Sequence, residues 1–168
     1  IAAQTEPHAK RFIELGAESD KVKVTGSIKF DGQYSAGHEA RLASARQLTT
    51  GRPVILGAST HEGEEEALLS VMDSLAAVVP DALLVLAPRH THRTEHVARV
   101  CASMGYPARR FSEGVPVTAD DSVLMLDVMG ELESYFPIAR VAYIGGSLVP
   151  VGGHNLLEAV RAGTAVIM

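Results

Sequence analysis

The stretch Gly-Gly-Ser-Leu-Val-Pro-Val-Gly-Gly-His-Asn-Leu-Leu-Glu (145–158) decides how the rest of the chain is read. An apolar run, Val141 to Ile144, leads into it, and Leu156, Leu157 and Val160 leave it at helical spacing. The order is strand, glycine-rich turn, helix. Two glycine pairs let the backbone come close to a ligand, because no Cβ stands in the way. The helix that follows would offer free N–H groups and a positive dipole end to an anion. Asn155 falls near the helix start and Glu158 one turn inside. A carboxylate there suits paired hydroxyls better than phosphate, so a ligand carrying ribose and phosphate fits the pattern. A tight strand-to-helix turn with a capping Asn has the same spacing, and spacing alone does not separate the two.

Upstream, the same unit recurs. Pro53 to Ala58 is a continuous apolar run, as expected of a strand covered on both faces. Ser59 or Thr60 is placed to cap the next helix, and Glu64-Glu65-Glu66 suits its first turn. That helix is expected to run to about Val79, where Pro80 ends it. Ala82 to Ala87 reads as the next strand, with Pro88 and Arg89 at its carboxyl end, where a cation faces either an anionic ligand or a rim carboxylate. His92 and His96 lie four apart on an expected helix, but no nearby carboxylate or cysteine completes a metal site. Tyr106 to Phe111 and Ser122 to Leu126 read as strands. A helix carrying Leu132, Tyr135, Phe136 and Ala139 is expected after the Met129-Gly130-Glu131 turn, which presents backbone N–H groups or simply turns the chain. A final helix is read over 155–162. Near the amino end, 6–15 reads as a helix stopped by Gly16, and 21–25 as a short strand. The loop 26–32 holds a lone Lys29 between apolar residues and reads as a linker or functional loop or, as composition favours, a surface turn with a solvated Lys. Strand, polar loop and helix in repetition predict an α/β fold: a Rossmann-like, doubly wound parallel sheet. The loops after Ala58, Ala87, Leu126 and Ile144 would gather along one edge.

Composition narrows the function classes. The formal net charge of -5 argues against a protein that coats nucleic acid. Cys101 is the single cysteine, which excludes a disulfide framework and a cysteine-rich zinc site. No apolar stretch approaches the roughly 20 residues of a membrane span. A dinucleotide dehydrogenase lacks its Gly-x-Gly-x-x-Gly, and a P-loop enzyme its Gly-Lys-Ser/Thr. The chain is expected to form one domain over 1–168. Ile1 in place of Met and the apolar close at Ala165 to Met168 read as a fragment of something longer.

Five motifs in order carry a resemblance: Gly-Ser-Ile-Lys-Phe-Asp (26–31), Ala-Ser-Thr-His-Glu-Gly-Glu-Glu (58–65), Ala-Pro-Arg-His (87–90), Asp-Val-Met-Gly-Glu-Leu (127–132) and the 145–158 stretch. Together they resemble the carboxyl-terminal half of the 3-deoxy-D-manno-octulosonic acid (Kdo) transferases, glycosyltransferase family 30. The resemblance implies the second half of a GT-B glycosyltransferase, a nucleotide-sugar domain that holds CMP-Kdo. The parent would be an inverting enzyme that moves Kdo onto the lipid A precursor (lipid IVA) in lipopolysaccharide core biosynthesis. It would work at the cytoplasmic face of the Gram-negative inner membrane, without a metal or other cofactor. By that similarity Pro88, Arg89, Met129, Gly130, Glu131, Asn155, Leu156, Leu157 and Glu158 would hold CMP. Ser59, Thr60, Gly152, Gly153 and His154 would be weaker phosphate or sugar contacts. Lys29 matches the family lysine that stabilises the transition state, by offsetting charge on the departing phosphate. Ala159 stands where the family usually has Pro, and Val128 where Thr is common. The resemblance places the acceptor cleft, membrane anchor and general base in an amino-terminal half outside this stretch, so the fragment alone is expected to be inactive. The competing readings are another GT-B enzyme, such as a UDP-sugar epimerase, and a non-catalytic nucleotide-binding module. Preference for UDP over CMP would favour the first of them.

Overall fold

The run read as a doubly covered strand is the centre of the sheet. The structure, a computed structural model, describes residues 1–27 and 32–168. These fall into two compact units, Ile1–Tyr34 and Ser35–Met168. In the larger unit the strands are β3 (Val54–Thr60), β4 (Leu83–Pro88), β5 (Ala108–Arg110), β6 (Val123–Met125), β7 (Ala139–Ile144) and β8 (Ala165–Ile167). They form one parallel sheet in the order β5-β6-β4-β3-β7-β8. The chain moves outward from β3 through β4 on one side and returns to β7 on the other. The order therefore reverses between β3 and β7, which is where open parallel sheets leave a crevice.

Alternation along the central strands divides two cores. Leu83, Val85 and Ala87 face the side that also buries Tyr135, Phe136, Ala159 of α6 (Leu157–Arg161) and Ala45 of α2 (His38–Leu48). Leu84 and Leu86 face the opposite side, packed with Leu69 of α3 (Glu64–Ser70), Met72 of α4 (Met72–Ala76), and Val97 and Cys101 of α5 (Thr94–Ser103). Both faces are dry, which is why these strands read as unbroken apolar runs. Gly57 is required inside β3, because a Cβ there would lie 2.8 Å from a Leu68 methyl and 2.9 Å from one of Leu86.

Three expected elements differ. The helix expected to reach Val79 is interrupted at exposed Val71, whose ψ of -3° leaves the helical run, and it resumes as α4. A β-branched residue resists the helical turn, and both pieces still bury their own apolar residue. The helix expected over 132–139 is instead two 3₁₀ turns, Leu132–Ser134 and Phe136–Ile138, and Ala139 already belongs to β7. Pro137 removes an N–H and disfavours helical geometry at Phe136, so an α-helix cannot run through it. Thr60 does not cap α3: it is the last residue of β3, and Gly63, at φ 89°, is the N-cap, with its N–H donated to Glu66 at 3.0 Å.

The smaller unit pairs β1 (Ala2–Ala3) with β2 (Lys23–Val24) in parallel, with α1 (Glu6–Glu14) between them. The Thr5 side chain accepts the His8 N–H, and Gly16, at φ 100°, ends the helix as its sequence predicts. Among the described residues, no helix is long and apolar enough to cross a membrane.

Candidate functional site

The crevice between β3 and β7 is shaped by a buried carboxylate. Ser59 adopts φ 55° at a bulge in β3, and β7 runs directly beside it, with the Gly145 N–H donated to the Ala58 carbonyl at 2.8 Å. The chain then turns at Gly146, whose N–H points to Glu64 at 2.9 and 3.0 Å from its two oxygens. Glu64 is fully buried and also accepts the N–H of His61 (2.8 Å), the N–H of Leu148 (3.2 Å) and the hydroxyl of Tyr143 (2.5 Å). Burial alone would raise its pKa. The Tyr143 hydroxyl and the N–H groups of Gly146, His61 and Leu148 outweigh that and hold it below the ordinary carboxylate value. One carboxylate thus pins the loops after both strands. Next to it Glu65, also buried, accepts the Thr60 hydroxyl at 2.9 Å and the Arg93 guanidinium at 2.8 and 3.3 Å.

Above this floor two hollows, of about 180 and 100 Å³, lie side by side and share Ser59, Arg89 and Leu132. The first is lined further by Phe136, His154, Asn155 and Glu158. The second is lined by Pro88, Thr91, Val128, Met129 and Gly130. The Arg89 backbone is fixed by an N–H bond to Thr60 O at 2.9 Å, while its side chain is exposed. Glu158 has its pKa raised by burial first and then by nearby Glu133, with Arg161 opposing. Its carboxyl is therefore poised to accept hydroxyl donors that replace lost solvation. His154 is pushed below the ordinary imidazole value by burial first, then by His61 and Arg89. The first hollow thus carries both the Arg89 cation and the Glu158 carboxyl.

Of the residues singled out from sequence, the fold gathers Ser59, Pro88, Arg89, Met129, Gly130, His154, Asn155 and Glu158 around these hollows. Glu131, Leu156, Leu157, Thr60, Gly152 and Gly153 do not line them. Glu131 instead gives its carbonyl to the Ser134 N–H, and Thr60 has its hydroxyl committed to Glu65. The Gly153 N–H closes the turn on Gly146 O at 2.7 Å. Lys29 lies outside the described residues. The reading of a helix N-terminus offered to an anion is corrected: α6 is a short helix of 5 residues, and the Leu157 N–H is taken by Asn155 Oδ1 at 3.1 Å. The close approach that Gly145 permits is to the Ser59 backbone rather than to a ligand. His92 sits in a 3₁₀ turn ahead of α5, so it and His96 do not share one helix. Among the described residues no group of three or more His, Cys, Asp or Glu is placed to hold a metal ion.

Comparison with known proteins bears on this cleft. The 3-deoxy-D-manno-octulosonic-acid transferase (kdotransferase) family model matches residues 1–32, almost the whole of the smaller unit. The 3-deoxy-D-manno-octulosonic acid transferase of Haemophilus influenzae is 38% identical over 94% of this chain, and that of Bordetella pertussis 38% identical over all of it. The crystal structure of the C-terminal CMP-Kdo binding domain of WaaA from Acinetobacter baumannii matches with a TM-score of 0.69 and 31% identity. That match covers 77% of this chain and 70% of that one. The chain belongs to the Kdo transferase family. It spans 37% and 40% of the lengths of the Haemophilus and Bordetella relatives.

Two features of this Kdo transferase cleft were not found by sequence reasoning. The first is the buried pair Glu64 and Glu65, which the sequence shows only as acidic residues in a first helical turn. The second is the group of rings at its rim, where His61 Nε2 lies 2.7 Å from His154 Nε2 and His90 stacks on His92. These histidines come from three loops, and only the parallel sheet brings them together. Of the family departures, Val128 lines the second hollow, while Ala159 is fully buried against the core.

Proposed function

We propose that these residues are the donor-binding part of an enzyme that transfers Kdo from CMP-Kdo to a lipid A precursor. One observation carries the reading. The cleft at the β3–β7 reversal joins the Arg89 guanidinium, the Met129-Gly130 backbone and the Glu158 carboxyl, in a chain 31% identical to a CMP-Kdo binding domain. Arg89 takes the phosphate, as a planar cation suited to two oxygens at once. Glu158 accepts the ribose hydroxyls from the same hollow that Arg89 lines. Ser59 and Asn155 add neutral hydrogen bonds between them. The net charge of -5 argues against a nucleic acid as the ligand.

Transfer that inverts the anomeric carbon needs a base for the acceptor hydroxyl. Glu64 and Glu65 are buried and already hydrogen-bonded, and Glu158 is assigned to the ribose. We therefore place the base, the lipid A acceptor site and the contact with the cytoplasmic face of the inner membrane in the length of the relatives that these residues do not span. Lys29 stabilises the departing phosphate, and no metal or other cofactor takes part. The test is transfer of labelled Kdo from CMP-Kdo to lipid IVA. The reading expects turnover by a protein of the relatives' length, a loss of about 10²-fold or more in Lys29→Ala, and none by residues 1–168 alone. Turnover by residues 1–168 alone would overturn the placement of the base. A full-length protein that binds CMP-Kdo but transfers nothing would overturn the assigned reaction.

A further inference from the structure

Two imidazoles meet at the mouth of the cleft. His61 follows β3 and His154 follows the turn after β7. Their rings stack at 16°, with centroids 5.0 Å apart and Nε2 atoms 2.7 Å apart. At that separation one Nε2 carries a proton and donates it, and the other accepts. Two Nε2–H groups would point at each other, so the pair in this arrangement holds a single proton along the contact. Such a pair is a closed arrangement that an anion would open.

The surroundings favour an anion. Arg89 and His90 approach from the loop after β4, and His90 meets His61 edge-on at 6.1 Å while stacking on His92. The nearby carboxylate on α3, Glu64, already accepts three backbone N–H groups and a tyrosine hydroxyl, and its remaining pull on His154 favours the protonated ring. Glu158 lines the same hollow as His154, with the opposing charge of Arg161 acting on it. Arg89 has no hydrogen-bond or ion-pair partner for its guanidinium among the described residues.

We infer that His61 and His154 form an anion subsite beside Arg89, opened by a ligand oxyanion that accepts one Nε2–H from each ring. The inference rests on the donor-site reading above. The balance is simple. The ring that donated keeps its Nε2 proton and turns it to the anion. The ring that accepted keeps its Nδ1 proton, gains a second proton from solvent at Nε2 and becomes an imidazolium. One anion bound means one proton taken up. The complex holds more protons than the free protein, so affinity rises as pH falls. The rise spans the window from the imidazole value in the complex down to the depressed value of the free ring. The shared chemistry is an oxyanion with two acceptor oxygens, supplied by the nucleotide phosphate or by the carboxylate of the sugar acid.

Calorimetric titration at pH 7.5, in buffers of different ionisation enthalpy, separates these sources. CMP and free Kdo are the probes. The subsite predicts a net uptake approaching one proton per ligand with at least one of them: with CMP if the phosphate enters, with Kdo if the carboxylate does. His61→Gln removes the uptake and weakens that ligand by about tenfold, with the melting temperature unchanged. Because a phosphate titrates near pH ~6 itself, the difference between the parent chain and His61→Gln isolates the imidazoles. Equal heats in every buffer, or an uptake that survives in His61→Gln, overturns the subsite while leaving CMP binding intact. If neither probe binds, the donor-site reading fails and the subsite with it.

Discussion

A Cβ at Gly145 would stand 2.1 Å from the carbonyl oxygen of Ser59 and 2.8 Å from the Cα of Thr60. Both obstacles are backbone, so neither can rotate away. Gly145→Ala must push β7 from the end of β3, which also stretches the 2.8 Å bond from Gly145 N–H to Ala58 O. A loss of about 3 kcal/mol or more is expected, read as a lower midpoint in urea. Gly152→Ala is the contrast: it meets nothing within 4 Å, and only its φ of 90° opposes a side chain, at about 1 kcal/mol. Equal losses at the two positions would contradict the packing described.

The Glu64 carboxylate makes stability depend on acid. Its pKa in the fold lies below the ordinary value, so its contribution is complete above the ordinary carboxylate range. That contribution is lost as pH falls through the depressed value. Glu64→Ala strands the N–H groups of His61, Gly146 and Leu148 in a dry site, with an expected loss of about 3–5 kcal/mol at pH 7. Glu64→Gln retains an acceptor and should lose less. Denaturant unfolding from pH 7 to pH 3 checks this: the gap between parent and Glu64→Gln should narrow toward the acid end.

Glu158 carries the opposite sign. Its raised pKa means the fold disfavours the ionised form, so stability declines as pH rises through that value. Glu158→Gln should therefore stabilise the ligand-free chain at pH 7.5 by about 1 kcal/mol, or about 2–4 °C in melting temperature. The same change should weaken CMP by about tenfold, because a charged acceptor for the ribose hydroxyls is gone. Thermal melts with and without CMP read both effects. A destabilised variant with unchanged CMP affinity would place Glu158 in the scaffold instead.

Arg89 separates binding from folding most cleanly, since its side chain is exposed and its backbone supplies the contact to Thr60. Arg89→Ala should reduce CMP affinity by about 10- to 100-fold with no change in melting temperature. Arg89→Lys keeps the charge but not the planar fork, and should recover only part of the loss. Affinity that is insensitive to both changes would remove Arg89 from the site.

Much of this architecture is legible in the sequence because the central strands are covered on both faces. Unbroken apolar runs at 53–58 and 82–87, each followed by a polar loop, leave few alternatives to a parallel sheet. The site is legible where a residue's position on a strand end sets its direction, as for Arg89 and Ser59. It is not legible where several loops converge. Three consecutive glutamates read as a first helical turn, yet Glu64 and Glu65 are buried because Tyr143 and Thr60 from the strands and Gly146 and Arg93 from the segments that follow β7 and β4 converge on them. The glycines of 145–158 fit either a ligand site or a tight turn by spacing, and in the fold Gly145 lets β7 lie against the end of β3 while Gly146 donates to the buried Glu64. Pro137 forbids the helix expected over 132–139, and apolar spacing alone does not register it.

The most direct test of the donor-site account is a titration of the ¹⁵N-labelled chain with CMP and, separately, UMP, followed by amide shifts. The account predicts saturable CMP-induced shifts at Ser59, Arg89, Gly130, Asn155 and Glu158, a weaker response to UMP, and loss of the CMP response in Arg89→Ala. Equal responses to the two nucleotides, or shifts confined to residues away from the β3–β7 crevice, would contradict it.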